Sequence, residues 1–300
     1  MEKIKKTIRG LLPIDLTNKI NRKRDQIKLN RLQNNILSYY SNISSEKITN
    51  EIKEVLDYII SNGVSYFPYN FKNNYKIDDI KVYDDPDTNF KYVIHQNKKL
   101  FFKKSWNEDE IKKYYLSLIV EQDEKSPHKY LTRQFNVDEN DVLVDVGVAE
   151  GNFSLSVIEK VSKVYMFEAD YEWIEAINLT FSPWKDKIEI ISKFVSDNNS
   201  GNCIKLDDYF KNIKFDFIKI DVDGAESKLL DGAKKIISNN DALKIAICTY
   251  HKQNDEDDFT KLLEKFGFTV NHSDGYMIFY DDKKQFPPYL RRGLLRAERK

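Results

Sequence analysis

The chain has 300 residues, and its 48 Lys and Arg are matched by 48 Asp and Glu, so the formal net charge is zero. That balance speaks against a nucleic-acid binder relying on overall basic charge. Hydrophobic residues at 41% and charged residues at 32% exclude a wholly disordered or collagen-like chain.

The two cysteines, Cys203 and Cys248, stand outside any CxxC pair, so neither a disulfide framework nor a cysteine zinc site is expected. The basic N-terminus is followed by an apolar stretch that Pro13 and Asp15 break before a leader's core can form. No stretch approaches the ~18 apolar residues of a membrane span. A cytoplasmic protein is expected. Ten Lys or Arg fall among the first 31 residues, and Arg291, Arg292, Arg296, Arg299 and Lys300 crowd the last twelve. Such ends could make peripheral contact with an anionic membrane or meet a phosphate-bearing substrate, but two solvated segments are the favoured reading.

In chain order, Leu29, Leu32 and Ile36 suggest a first helix. Ile48, Ile52, Val55, Leu56, Ile59 and Ile60 then form the stripe of an amphipathic helix over 45–63, stopped by Gly63. Ile80–Tyr83, Tyr92–Ile94 and Leu100–Phe102, separated by turn residues, predict a small antiparallel sheet. A helix over Asp109–Val120 follows. From Asp141 the pattern alternates strand and helix: strands at 142–144, 164–167, 188–191, 215–220, 243–248, 268–270 and 276–280. This predicts an α/β, mostly parallel, doubly wound sheet with an antiparallel last strand and ligands at the strands' carboxyl ends. Three parts are expected: a helical and β cap over 1–108 that closes over the neighbouring crevice or makes a homodimer, an α/β domain over 109–282, and a basic tail over 283–300.

The densest chemistry is Val144-Asp145-Val146-Gly147-Val148-Ala149-Glu150-Gly151-Asn152. Two glycines after a strand and before a helix allow a tight turn and close approach of a ligand. The GxGxxG pattern is not met, since Ala149 and Asn152 occupy its second and third glycine positions, which weakens an NAD reading. Asp-x-Gly-x-x-x-Gly instead resembles the S-adenosylmethionine loop of Rossmann-like methyltransferases. Glu168 ends the next strand 23 residues after Asp145, where an acid can accept hydrogen bonds from both ribose hydroxyls.

More distinctive is Ile218-Lys219-Ile220-Asp221-Val222-Asp223-Gly224-Ala225-Glu226, followed by Leu230-Asp231-Gly232-Ala233. It resembles the fourth strand of the FkbM family of S-adenosylmethionine-dependent methyltransferases, usually Lys-Ile-Asp-x-Glu-Gly-Ala-Glu, with Asp223 where Glu is usual. The resemblance spans about residues 120–282 and takes in the Asp145 loop, Phe167–Asp170, Val195–Asp197, Leu206–Asp208 and the strand ending near His251. It implies a Rossmann-like methyltransferase domain transferring methyl to an oxygen, most often a hydroxyl of a carbohydrate or a secondary metabolite. It also implies that Ser196 and Asp197 face the adenine. The segment 121–131 is similar to one that in some members folds over the methionine end of the cofactor, with Glu121, His128 and Tyr130 as candidate contacts; an exposed Pro-containing turn is the competing reading. The Asn/Asp-Pro-Pro-Tyr motif of amino-methylating enzymes is missing, so base methylation and a nucleic-acid partner are not expected.

Methyl transfer to an alcohol depends mainly on alignment, plus a group to take the hydroxyl proton. His251 needs the smallest pKa shift for that role and is assigned it, with Asp221 orienting the acceptor or its base. Asp221, Asp223 and Glu226 are the alternative bases. Asp221, Asp223 and Glu226 could instead hold Mg²⁺, with Asn254–Asp258 adding carboxylates, but solvent-facing acids are favoured and no metal ligand is assigned. Lys219 is expected to pair with one of these acids, and Phe167 and Phe194 could sandwich the adenine. Tyr250–Lys252 and Pro287–Arg292 are candidate acceptor contacts, Arg291 and Arg292 for a phosphate of a nucleotide- or lipid-linked glycan. A binding or scaffold protein on the same fold, or an NAD-dependent carbohydrate oxidoreductase, are the competing functions.

Overall fold

The computed structural model describes residues 14–282 and 285–299. A long helix α1 (Ile14–Ser41) is followed by α2 (Asn50–Asn62). Thr49 caps α2 by accepting from the Ile52 N–H, and Gly63 ends it at φ 81°. The predicted helix therefore starts five residues late, because Ser45–Lys47 is a separate 3₁₀ turn. Leu32, Ile36 and Tyr40 of α1 bury against Val55 and Ile59 of α2. Lys23, Arg24, Lys28 and Arg31 are exposed, and the more basic residues 1–13 lie outside the described residues.

The small sheet appears as expected, with β1 (Tyr83–Asp84), β2 (Lys91–His95) and β3 (Lys98–Phe101) in antiparallel order. It belongs to the catalytic core and not to the helices before it. Val93, Leu100 and Phe102 pack with Leu143, Val164 and Ile177, and the Phe101 N–H donates to Thr180 Oγ1 at 3.0 Å. Helix α3 (Glu108–Glu121) starts on a reciprocal cap between Asn107 and Glu110.

The central sheet alternates with helices: β4 (Val142–Val146), α4 (Asn152–Val157), β5 (Lys163–Phe167), α5 (Tyr171–Thr180) and β6 (Ile188–Ile191). A two-residue ladder, β7 (Phe194–Val195) with β8 (Cys203–Ile204), then leads through α6 (Leu206–Tyr209) to β9 (Phe217–Ile220). Helices α7 (Glu226–Gly232) and α8 (Lys234–Asn239), β10 (Lys244–Cys248), α9 (Asp255–Lys265), β11 (Thr269–His272) and β12 (Leu294–Glu298) complete the chain. The order is β11-β12-β10-β9-β4-β5-β6, with β12 antiparallel to both neighbours and the pairs from β10 to β6 parallel. This is the expected fold class. Chain order reverses between β4 and β9, so the ligand crevice lies over their carboxyl ends.

Two expectations at the C-terminus fail. Residues 276–280 form no strand and make only the bridge Met277–Arg291. The reversed strand is instead β12, inside the segment expected to be a basic tail. Leu294, Leu295 and Ala297 are fully buried, and each large aliphatic side chain so placed contributes roughly 1.5–3 kcal/mol. The charge pattern misled because backbone carbonyls take the guanidinium groups. Arg296 donates to Tyr130 and Lys129 carbonyls (3.1 and 2.5 Å), and Arg299 to those of Ser238 and Asn240 (2.9 and 3.0 Å). The connection between β11 and β12 joins the N-terminal helices: Met277, Ile278, Tyr289 and Leu290 share their core, and Arg292 forks onto Glu51 with two 2.8 Å bonds. Among the described residues no helix is long and apolar enough to cross a membrane.

Candidate active site

The glycine loop after β4 is shaped by backbone geometry. Gly147 (φ 77°), Ala149 (φ 49°) and Gly151 (φ 86°) all take the left-handed region. A Cβ on Gly147 would fall 1.8 Å from the Asp221 carbonyl oxygen, so this close approach of β4 and β9 requires glycine. Gly151 precedes α4, whose first residue is Asn152. Glu168, at the end of β5, ties the loop down: Oε2 accepts the Ala149 N–H, and Oε1 those of Ala169 and Asp170, each at 2.8 Å. Of its about four lone-pair sites, the one these bonds leave open can accept from a ribose hydroxyl.

Asp145 is fully buried. It accepts Ser154 Oγ at 2.6 Å and faces Lys219 Nζ at 3.2 Å, while Lys219 donates to the Gly147 carbonyl at 2.6 Å. Asp145 therefore positions the loop from beneath. Lys219 pairs directly with Asp145 on the glycine-loop strand, and its charge also acts on Asp221 in its own strand's cluster.

Ser196 and Asp197 lie together beyond β7, Ser196 donating to Asp197 Oδ1 at 3.1 Å. Hydrogen bonds from Asn198 and Ser196 hold the Asp197 carboxyl below its usual range. Gly232 packs so close that a Cβ there would sit 2.0 Å from the Ser196 carbonyl, which accounts for the glycine after Asp231. Phe167 is core, edge-on to Tyr209, and Phe194 is 61% exposed.

On the other side of the crevice, four side chains from two segments meet at Asp221. Tyr130 donates to its Oδ2 at 2.7 Å, His128 Nε2 lies 3.6 Å from the same oxygen, and His251 Nε2 and Tyr250 Oη lie 3.7 and 3.5 Å from Oδ1. The Pro-containing turn expected to be either cofactor lid or exposed loop thus buries His128 and Tyr130 against the fourth strand. Burial opposes ionisation of Asp221, but Lys219, His128 and His251 outweigh it and hold the carboxyl below its usual range. His128 is pushed down to about 4, mainly by burial, and stays neutral. Burial would lower His251 too, yet Asp223, Glu226 and Asp221 together raise it to about 10. At neutral pH it carries a proton, so it cannot serve as the resting base that the sequence suggests.

Glu150 and Glu121 complete the site. Glu150 accepts Tyr114 Oη at 2.8 Å and burial pushes its carboxyl up to about 7; burial and the Asp221 and Glu150 charges push Glu121 up to about 8. Lys219, already committed to Asp145, is the cation facing them. These carboxyls lack positive charge, which a sulfonium and an α-ammonium would supply, and with the open glycine loop they fit S-adenosylmethionine. Tyr114, from α3, was missed; no sequence signal separates it from a core tyrosine. Arg291, expected on an acceptor phosphate, is 3% exposed and donates to the Tyr250 and His251 carbonyls (2.8 and 2.7 Å) and to Asp282 (2.6 Å). It fixes the strap that bears His251.

Across Tyr250, whose Oη lies 3.5 Å from Asp221, opens a cleft of about 560 Å³ walled by Tyr66, Phe67, Tyr250, Met277 and Phe279, with Glu121 among its lining residues.

The sheet order, its reversed β12 and the loop between β4 and α4 define a class I, Rossmann-like methyltransferase. The profile of the FkbM methyltransferase domain matches residues 18–276, and the chain belongs to that family. Among solved structures, it is similar to the FkbM methyltransferase of Methylobacillus flagellatus KT (18% identity, TM-score 0.45), over 63% of this chain and 52% of that one. The match thus spans about half the length of that relative. A precorrin-6y C5,15-methyltransferase of Geobacter metallireducens GS-15 matches at 9% identity and TM-score 0.38, over 55% of this chain and 81% of that one. A Streptococcus mutans protein in complex with SAH matches at 15% identity and TM-score 0.37, over 55% and 91%. No curated protein matches.

Proposed function

We infer that this enzyme methylates a hydroxyl group of a carbohydrate-containing acceptor. The observation that carries this reading is the ionised carboxylate of Asp221 at the end of β9, across Tyr250 from an aromatic-walled cleft. Flat faces such as Tyr66 and Phe279 suit the C–H face of a sugar ring, and Tyr250 offers a hydrogen-bond partner to its hydroxyls.

S-adenosylmethionine supplies a methyl group on a sulfonium, open to in-line displacement by an oxygen nucleophile. The protein's own part is alignment and proton removal. Glu150, Glu121 and the loop from Gly147 to Gly151 hold the cationic end, and Glu168, Ser196 and Asp197 the nucleoside. Asp221 accepts the hydroxyl proton, while Tyr130 and the protonated His251 keep its carboxylate aimed into the crevice; the roles first given to His251 and Asp221 are exchanged. Membrane contact through the basic ends and pairing through the cap remain proposals without a site among the described residues. The test is a screen of glycans and nucleotide-linked sugars with labelled S-adenosylmethionine. A methylated product whose formation falls about 100-fold or more in Asp221→Asn supports the reading; transfer only to amines, or unchanged rates in that variant, refutes it.

A further inference from the structure

On the side of Asp221 away from the glycine loop, a second set of donors converges. Glu226 is fully buried at the start of α7, its Oε1 accepting the N–H groups of Val222 (3.1 Å) and Gly224 (3.4 Å). Its Oε2 has no hydrogen-bond partner. His251, 6% exposed, places Nδ1 2.9 Å from Glu226 Oε1, and Nε2 3.7 Å from Oδ1 of both Asp221 and Asp223. One donor atom each from Asp221, Glu226 and His251 lies within 4.8 Å of the other two. A buried carboxylate oxygen without a donor is costly, and the imidazole beside Glu226 engages Oε1 alone, which leaves Oε2 without a partner. An ion bound at about 2.1 Å spaces neighbouring ligands about 3 Å and opposite ones about 4.2 Å apart, a span these three reach by small rotations.

We propose that Asp221, Glu226 and His251 form a divalent-cation site, the imidazole giving up its proton as the ion enters, with Asp223 on its solvent side. One imidazole nitrogen among carboxylate oxygens selects a borderline ion such as Mn²⁺ over the all-oxygen preference of Ca²⁺. Asp223 sits on the turn after β9 at φ 49° with its side chain fully exposed, so the open side of the cluster faces outward there. The neighbouring trio of His128, Asp221 and Cys248 is a poorer host, since burial keeps its thiol protonated. The ion's use rests on the methyl-transfer reading: at the carboxyl ends of β9 and β10 it would offer open positions to an acceptor hydroxyl and lower its pKa. Its binding does not depend on that reading.

The test is titration of the EDTA-stripped full chain with Mn²⁺, counting free ion by electron paramagnetic resonance. One bound Mn²⁺ per chain is expected, weakened at least about tenfold in His251→Gln and in Asp223→Asn and unchanged in Cys248→Ser. Affinity for S-adenosylhomocysteine reports whether each variant folds; should His251→Gln lose it, the exposed Asp223→Asn decides. No bound Mn²⁺ in the native protein, or binding indifferent to the folded variants, overturns the site. Mn²⁺ binding without methylation of any hydroxyl would overturn the acceptor reading alone, and methyl transfer without Mn²⁺ binding would overturn this one alone.

Discussion

On the β4–β5 side of the crevice the backbone shapes the site: Gly147, Ala149 and Gly151 hold left-handed conformations, and Glu168 pins the loop through three backbone N–H groups. On the β9–β10 side the strands stay regular, and side chains from residues 128, 130, 250 and 251 converge on one carboxylate. A site made by backbone tolerates few substitutions and leaves its signature in short sequence spacing. A site made by converging side chains can change its chemistry residue by residue while the fold persists.

That contrast can be broken at either side. The largest effect is expected for Gly147→Ala, whose Cβ meets the Asp221 carbonyl while φ is unfavourable; it should destabilise by more than about 3 kcal/mol in thermal or denaturant unfolding. Gly201→Ala, also at positive φ but with open space around it, should cost only about 1 kcal/mol. Asp221→Asn should leave unfolding and cofactor affinity nearly unchanged while methyl transfer falls by about 10²–10⁴. A variant that unfolds instead would make Asp221 a structural residue.

Glu150 gives a pH test. Its folded pKa is raised from 4.5 to about 7, so the native state holds this proton more tightly than the unfolded state. Cofactor-free stability should therefore fall as pH rises from about 4.5 to 7. Glu150→Gln removes that slope, gaining on the order of 2 kcal/mol above pH 7 while weakening cofactor binding. His95, in the small sheet and away from both sides, has the opposite sign. Burial and then Lys98 lower it from 6.5 to about 4, so the unfolded state takes the proton first and stability drains as pH falls from 6.5 to 4. His95→Gln should flatten this loss, on the order of 1 kcal/mol given its partial exposure, in melts at pH 5 against pH 7.5.

The glycine loop, Glu168 and the motif from Lys219 to Glu226 were legible because each needs particular residues at fixed short spacing. The sheet was legible from β4 through β11 because strand and helix periodicities alternate there. What was not legible depends on contacts between distant segments. Leu294–Glu298 reads as a basic tail until the carbonyls of Lys129 and Tyr130 are seen to take Arg296. Arg291 reads as a phosphate ligand until the Tyr250 and His251 carbonyls take it. His251 reads as a near-neutral base until three carboxylates from the turn after β9 surround it. Tyr114 and Glu150 meet across 36 residues, and nothing in either neighbourhood announces the pair.

The most direct test of the central claim is titration calorimetry of the purified chain with S-adenosylhomocysteine, with NAD as the comparison ligand. The account predicts one saturable site per chain for S-adenosylhomocysteine, at least about tenfold weaker in Glu168→Ala, and no binding of NAD. Saturable binding of NAD alone, or S-adenosylhomocysteine affinity indifferent to Glu168, would contradict it.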